Sequence, residues 1–256
     1  MRGRLAVIAT ALLLLVSFAT PASAVNNGQP DGNKHPYVGL VLTPAADGGF
    51  WLCSGAALSP TKVLTAAHCI GDKGNQAFVS FETSGFPPTL NPGKIYPHPK
   101  WCIGCGPGLP GFDTHDVAVI TLDGPGVTLP RYADLPSAGQ VDDLRMGTAV
   151  DIVGYGVHRE QYRGKPFQDF DWTRYYAPSK LVKSKHVHSD EFIRLTANPA
   201  QGKGGTCFGD SGGPDLLGGS DIVLAVNSYV TNGNCAGVTY SNRIDSTKML
   251  EWINSK

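Results

Sequence analysis

Short apolar or alternating segments recur along this chain between clusters of Gly, Pro, Asn and Asp. Examples are Tyr37–Leu42, Lys62–Thr65, Ala77–Phe81, Val117–Leu122, Ala149–Val153, Phe192–Leu195, Ile222–Val226 and Val238–Tyr240. Each has the length of a strand, and several are rich in Val, Ile and Thr. Strands do not alternate with helical segments, so the chain is all-β, built as barrels or a sandwich. Helical periodicity arises only at the end. There Asp245 or Ser246 caps a short helix, about 245–254, that turns Met249, Leu250 and Ile253 toward the body. Leu129–Gln140 carries two prolines and little periodicity, and reads as a linker between two groups of strands. Tyr155–Pro178 is polar, aromatic and turn-rich, and reads as a long surface loop.

The start of the chain has a different purpose. Arg2 and Arg4 precede the apolar run Leu5–Phe18, and small residues stand at Ala22 and Ala24. This is the pattern of a secretory signal peptide, residues 1–24, cut after Ala24. A membrane anchor is the competing reading, but a spanning helix needs roughly 20 apolar residues and this run is shorter. An exported, extracellular protein is expected. Six cysteines follow: Cys53, Cys69, Cys102, Cys105, Cys207 and Cys235. An even number in an exported chain favours disulfides, with 15 connectivities open on arithmetic alone. Asp and Glu balance Lys and Arg, giving a formal net charge of zero. Neither nucleic acid nor an anionic membrane is expected as a partner.

Amide hydrolysis by a hydroxyl needs a base, a group that orients the base, and donors for the oxyanion. Gly209-Asp210-Ser211-Gly212-Gly213-Pro214 places a serine on a tight turn, where the N–H groups of Gly209 and Ser211 can converge on one oxygen. An ordinary Gly-rich turn would have the same composition. The hexapeptide also satisfies Gly-x-Ser-x-Gly, the nucleophile elbow of α/β-hydrolases, whose histidine follows the serine. All seven histidines precede Ser211, which excludes that arrangement. His68, within Thr65-Ala66-Ala67-His68-Cys69, is the candidate base, and Asp116, at the mouth of an apolar strand, the candidate orienting group.

These segments together resemble the trypsin/chymotrypsin family: Thr-Ala-Ala-His-Cys, an Asp opening an apolar strand, and Gly-Asp-Ser-Gly-Gly-Pro, in the order His, Asp, Ser. Gly154-Tyr155-Gly156, Asn227-Ser228-Tyr229, Gly237-Val238 with Tyr240, and Glu251-Trp252-Ile253 extend the likeness from Val25 to the C-terminus. The resemblance implies two packed six-stranded antiparallel barrels, about 25–128 and 141–244, with the site between them. It implies a serine endopeptidase acting on polypeptides without a cofactor or metal, and a monomer. His68, Asp116 and Ser211 would be the catalytic triad, Gly209 and Ser211 the oxyanion hole, and Ser228 a hydrogen-bond donor to Asp116. Cys53 would pair with Cys69 and Cys207 with Cys235.

Cys102 and Cys105 lie outside the family's pattern. A structural disulfide, a redox pair, and a metal site with His98 or His115 compete there. Such a staple, just ahead of Asp116, could order a loop that touches substrate. The likeness places Gly205 at the base of the specificity pocket, with Thr206, Ser228, Tyr229, Val230 and Gly237 around it. An uncharged base and a branched Val230 imply a small to medium, uncharged P1 residue. Signal cleavage would expose Val25-Asn26-Asn27-Gly28, similar to the family's mature start, so the resemblance pairs the Val25 amine with Asp210. Asn26 departs from the apolar residue usual there, and Asp215 from the apolar residue usual after Pro214. An inactive protease-fold binding module and an esterase are the rival readings. The first would lack a triad residue or the oxyanion glycine; this sequence has all of them.

Overall fold

The computed structural model describes residues 25, 27–105, 113–157, 170–183, 190–198, 203–233 and 235–256. After the short strand β1 (Gln29–Pro30), six strands build the first barrel. They are β2 (Val38–Pro44), β3 (Phe50–Ala57), β4 (Lys62–Thr65), β5 (Gln76–Ser80), β6 (Asn91–Pro97) and β7 (Ala118–Leu122). Antiparallel pairing closes them in the order β2-β3-β4-β7-β6-β5. The second group holds β8 (Ala149–Gly154), β9 (Tyr175–Lys183), β10 (Phe192–Ala197), β11 (Pro214–Leu217), β12 (Val223–Val230) and β13 (Gly237–Arg243). Its order is β9-β10-β13-β12-β11-β8, and a further β8–β9 pairing closes the ring while β1 adds to β9. A barrel leaves no exposed edge, which suits so many short strands. No helix among the described residues is long and apolar enough to cross a membrane.

Four strands escape the propensity reading. β3 contains Ser54 and Gly55, β6 contains two prolines, β11 starts at a proline, and β9 is rich in Lys, Ser and Tyr. Pairing with neighbours on both sides, rather than side-chain preference, makes them strands. The expected surface loop Tyr155–Pro178 needs correction at both ends. Tyr155 is buried, and Tyr175–Pro178 belongs to β9, between β1 and β8. Residues 158–169 lie outside the described residues. The closing helix α1 runs over Thr247–Asn254, with Ser246 as its cap: Ser246 Oγ accepts from Met249 N at 3.3 Å. Met249 and Ile253 are buried and Leu250 only half-buried. Lys62 Nζ donates to the carbonyls of Ile253 and Asn254, complementing the negative end of the helix.

The apolar interior of the first barrel runs without a break into the seam. Val153, Tyr155, Leu216, Val226 and Ile244 from the second barrel join its cluster. At the edge of the seam a charged network is sealed from water. Arg174, wholly buried, donates through Nε to Asp31 Oδ2 at 2.9 Å, through Nη1 to Val38 O at 2.8 Å and through Nη2 to Asn33 Oδ1 at 2.9 Å. Asp31 also accepts from His35 Nδ1 at 2.6 Å and His35 N at 3.0 Å. Burial alone would raise the Asp31 carboxyl, but the His35 hydrogen bonds and the Arg174 charge outweigh it and hold the pKa at about 2. One guanidinium thus ties the start of the chain to both barrels.

Because this pKa is depressed in the fold, its stabilisation is present above the unfolded value of 3.8 and is lost as pH falls toward 2. Arg174→Met leaves Asp31 buried without its cation and should cost about 3–5 kcal/mol in urea unfolding at neutral pH. The same variant should show a flatter loss of stability between pH 4 and pH 2 than wild type.

Candidate active site

β4 ends at Thr65, and the chain at once forms a single 3-10 turn, Ala67–Cys69, that carries His68. Small side chains at Ala66 and Ala67 let this turn sit buried against the barrel, and the Cys53–Cys69 disulfide fastens it to β3. Asp116 stands two residues ahead of β7, with 1% of its surface exposed. Its Oδ1 accepts from His68 N at 2.8 Å and its Oδ2 faces His68 Nδ1 at 2.6 Å. Ser228 Oγ donates to the same Oδ2. Ser228 reaches Asp116 because the β12–β13 register shifts between Asn227 and Tyr229, leaving it at a bulge without a cross-strand partner. Burial opposes charge on His68, yet the Asp116 charge and hydrogen bond, with Asp113 adding to them, raise its pKa. In turn, burial would raise Asp116, and the contacts with His68 and Ser228 overcome it and lower the carboxyl. An acceptor held this way fixes Nδ1–H and turns Nε2 outward as a base.

Ser211 comes from the second barrel, on the turn that leads into β11. Of the five amides from Gly209 to Gly213, three are spent within the protein: Asp210 N on Cys207 O, Gly212 N on Asn227 O and Gly213 N on Asp210 O. Gly209 N and Ser211 N have no acceptor among the described residues. Two unpaired N–H groups on one turn make a preorganised anion seat. Gly209 holds a φ of +95°, and a Cβ there would meet Gly156 Cα at 3.0 Å, so the turn excludes any larger residue. Ser54 fastens the turn to β3: its Oγ donates to Gly209 O at 2.9 Å and accepts from Tyr155 N at 2.9 Å, while its N donates to Ser211 O at 2.8 Å. The sequence offered no signal for Ser54 beyond its place next to Cys53.

His68, Asp116, Gly209 and Ser211 share one cavity of about 540 Å³ between the barrels. Among the described residues no hydrogen bond joins Ser211 Oγ to His68, a contact that tightens when substrate closes the site. Thr206, Ser228, Tyr229 and Val230 line the same cavity, as do Trp51 and Asp113, which the sequence did not single out. Gly205 and Gly237 are not among its described lining residues. Gly205 is buried, and a Cβ built on it would meet Ala197 Cβ. Gly237 is exposed, with open space where its Cβ would be. The short loop after Val230 supplies the opposite wall through Thr231, Asn232 and Gly233. Cys207 is joined to Cys235, bracing this loop against the serine segment.

Cys102 and Cys105 are also joined to each other. Both sulfurs are therefore taken, and the metal reading loses its thiolates. His98 and His115 stack on one another with ring centroids 5.0 Å apart. Burial, with the charges of His115 and Lys100, pushes the His98 pKa down to about 4.

Behind the serine turn lie two buried carboxyl groups. Asp210 Oδ1 accepts from Gly156 N and Oδ2 from Cys207 N, both at 2.8 Å, and no cation lies against it among the described residues. Burial raises its pKa to about 7 despite those two bonds. Val25 is fully buried in the apolar cluster of the second barrel. Asp215 is equally buried, and neither carboxylate oxygen has a well-formed hydrogen bond among the described residues. Burial foremost, and the charge of Asp210, push it up to about 8, against a weak contact with Ser241. Its surroundings thus favour the protonated form. Ser241 touches it from β13, and on β12 Asn227 Oδ1 accepts from Thr206 at 2.6 Å. The departure after Pro214 is thus a buried carboxyl group inside the second barrel.

A model of the Trypsin family matches residues 25–253. The chain belongs to the trypsin family. It is a serine endopeptidase, a hydrolase that cleaves peptide bonds. It is 28% identical to Proproteinase E of Bos taurus, over 92% of this chain and 96% of that protein. It is 26% identical to Chymotrypsin-like elastase family member 1 of Felis catus, over 89% of this chain and 88% of that protein. Among solved structures, HL collagenase superimposes with a TM-score of 0.69 at 18% identity, covering 91% of this chain and 95% of that one. That likeness is one of fold.

Two outcomes follow from the charges at this trypsin-family site. The raised pKa of His68 means that, if the imidazole is the base, kcat/KM for peptide hydrolysis should fall toward acid pH, with the fall beginning above the ordinary histidine value of 6.5. A pH–rate profile flat into the acid range would exclude His68 as the base. Asp215 gives a stability signature of opposite sense to Asp31. Its raised folded pKa means that the stabilisation is complete below 3.8 and is lost as pH rises through about 8. Asp215→Asn should therefore retain more of its thermal stability between pH 5 and pH 9 than wild type does.

Proposed function

We propose that His68, Asp116 and Ser211 form the catalytic triad of this endopeptidase, with the N–H groups of Gly209 and Ser211 as its oxyanion hole. The observation that carries this reading is the pair of unspent amides on the serine turn, in one cavity with an imidazole already fixed by Asp116. Ser211 Oγ attacks the scissile carbonyl and gives its proton to His68 Nε2. The carbonyl oxygen, now negative, takes the two N–H groups in place of water. His68 then protonates the leaving amine, and water repeats the sequence to release the acyl group from Ser211. Asp116 stays ionised throughout and stabilises the imidazolium, with Ser228 holding its second oxygen.

The P1 residue is small to medium and uncharged. Supporting this, the described residues that the second barrel contributes to the cavity lining, Thr206, Tyr229 and Val230 among them, are all uncharged. An apolar pocket grades rather than excludes, by about 1–3 kcal/mol per methylene. The protein is exported as a monomer to the extracellular space, which the leader pattern and the three disulfides support. Its domains are the leader, 1–24, and one protease domain, 25–256. Polypeptide is the substrate, and no cofactor enters the chemistry.

Activation follows leader removal. Cleavage after Ala24 frees the Val25 amine, which pairs with Asp210. In support, Asp210 is buried with donors on both oxygens yet no cation, and Val25 is already inside the barrel. The polar Asn26 is what sets this start apart from its family.

Ser211→Ala should lower peptide turnover by roughly 10⁴ or more and abolish labelling by an organophosphonate, with unchanged circular dichroism. Labelling that survives the substitution would place the nucleophile elsewhere. N-terminal sequencing of active protein should read Val-Asn-Asn-Gly, and a form extended ahead of Val25 should be far less active. Full activity in the extended form would free Asp210 of this role.

A further inference from the structure

Asp113 is the one carboxylate in the catalytic cavity that the chemistry above leaves unused. Besides it, only His68 and Asp116 carry charge among the cavity's described lining residues, and neither Lys nor Arg is among them. Asp116 is sealed and committed to His68 and Ser228, whereas Asp113 is half-buried at the cavity surface. Its charge is close enough to be felt at His68.

The carboxylate is held rather than free. Asp113 Oδ1 accepts from Gly104 N at 2.8 Å and Oδ2 from Trp101 Nε1 at 3.1 Å. Both donors lie in the Trp101–Cys105 loop that the additional disulfide closes. That loop is stitched to the segment after Asp113 by a two-way bridge, Cys102 N to Thr114 O at 3.2 Å and Thr114 N to Cys102 O at 3.0 Å. A carboxylate offers about four lone-pair sites, and two are filled here. What remains is a held carboxylate with acceptor capacity to spare, lining a cavity whose described residues include no Lys or Arg. Ordering a side chain before substrate arrives lowers the cost of binding to it. Trp51 and Tyr229, also on the cavity wall, offer aromatic faces of the kind that accept an alkyl stem or a guanidinium.

We propose that Asp113 is a specificity residue that binds a lysine or arginine side chain of the substrate at a position flanking P1, and that the Cys102–Cys105 loop exists to hold it. This rests on the cavity being the peptide site proposed above. The flanking position follows from placement. The P1 pocket is built by the second barrel through Thr206 and Val230, while Asp113 belongs to the first, ahead of β7. A peptide lying across the seam presents different residues to the two. The pairing is partly solvated, so it grades affinity and weakens with salt.

Binding to the Ser211→Ala protein separates this from catalysis. Short labelled peptides, with Lys, Arg, Met or citrulline scanned through each position, would be titrated by fluorescence polarisation at low and high salt. The expected result is roughly 3–10-fold tighter binding of Lys over Met and Arg over citrulline at one position other than P1, reduced by salt. Added Asp113→Asn should erase that preference, Asp113→Glu should keep part of it, and Asp113→Lys should turn it toward Asp and Glu. Replacing Cys102 and Cys105 together by Ser should weaken the preference without moving the P1 profile. Equal binding of Lys and Met at every position would overturn the proposal, and so would a preference that Asp113→Asn leaves intact. The catalytic reading is tested separately by turnover with Ser211 in place. Brisk cleavage without a basic preference sinks only the role of Asp113. A charge-dependent preference without any turnover supports Asp113 and sinks the triad.

Discussion

Everything at this site depends on how the serine turn of one barrel is fastened to a strand of the other. Ser54 makes that joint. Its hydroxyl donates to Gly209 O, accepts from Tyr155 N, and its own N–H donates to Ser211 O. The carbonyls of the turn are thereby held from the first barrel, which aims the two remaining N–H groups at the cavity. His68, on the neighbouring side of the same barrel, is anchored to β3 by the Cys53–Cys69 disulfide. His68 and Ser211 are thus referred to one strand although they lie far apart in the chain. Catalytic geometry tolerates errors of only a fraction of an ångström, so a shared anchor matters more than the strength of any one bond.

The buried charges follow a related logic. Arg174 satisfies Asp31 where the start of the chain crosses the seam, and every nitrogen of its guanidinium has an acceptor. Asp210 and Asp215 lie on the other side of the serine turn with amides or little at all to meet them. A buried carboxyl group without a cation keeps its proton, and both groups accordingly titrate near or above neutrality. The fold therefore holds one fully compensated ion network and, next to Ser211 in the chain, buried carboxyl groups without a cation among the described residues. The first ties the two barrels together.

Disulfides divide the work in the same way. Cys53–Cys69 braces the turn that carries His68, and Cys207–Cys235 joins the loop after Val230 to the serine segment. Cys102–Cys105 braces neither, but closes the small loop whose Gly104 and Trp101 donors grip Asp113.

Much of this was legible in the sequence. The motifs around His68, Asp116 and Ser211 are local, because each needs particular residues within a few positions: small neighbours for the histidine turn, glycine for a φ of +95° at Gly209. Chain order then distinguished this fold from its convergent counterparts. The strands of high β-propensity were legible too, whereas β3, β6, β9 and β11 were not, since pairing on both sides, and not composition, makes them strands. The pocket shows the limit most sharply. Counting from Cys207 puts Gly205 at its base, whereas Thr206 is the residue of that pair found among the cavity's described lining, and only packing shows that a side chain at Gly205 would meet Ala197. No count along the chain foresees that Asp113 faces the cavity, that Ser54 joins the barrels, or that Arg174 is wholly buried. The sequence by itself determined the chemistry and the class of fold, because turn geometry and side-chain identity are properties of neighbouring residues. Only the tertiary structure decided which groups meet across the seam, because contacts between the barrels depend on the packing of distant strands, to which no single segment holds the key.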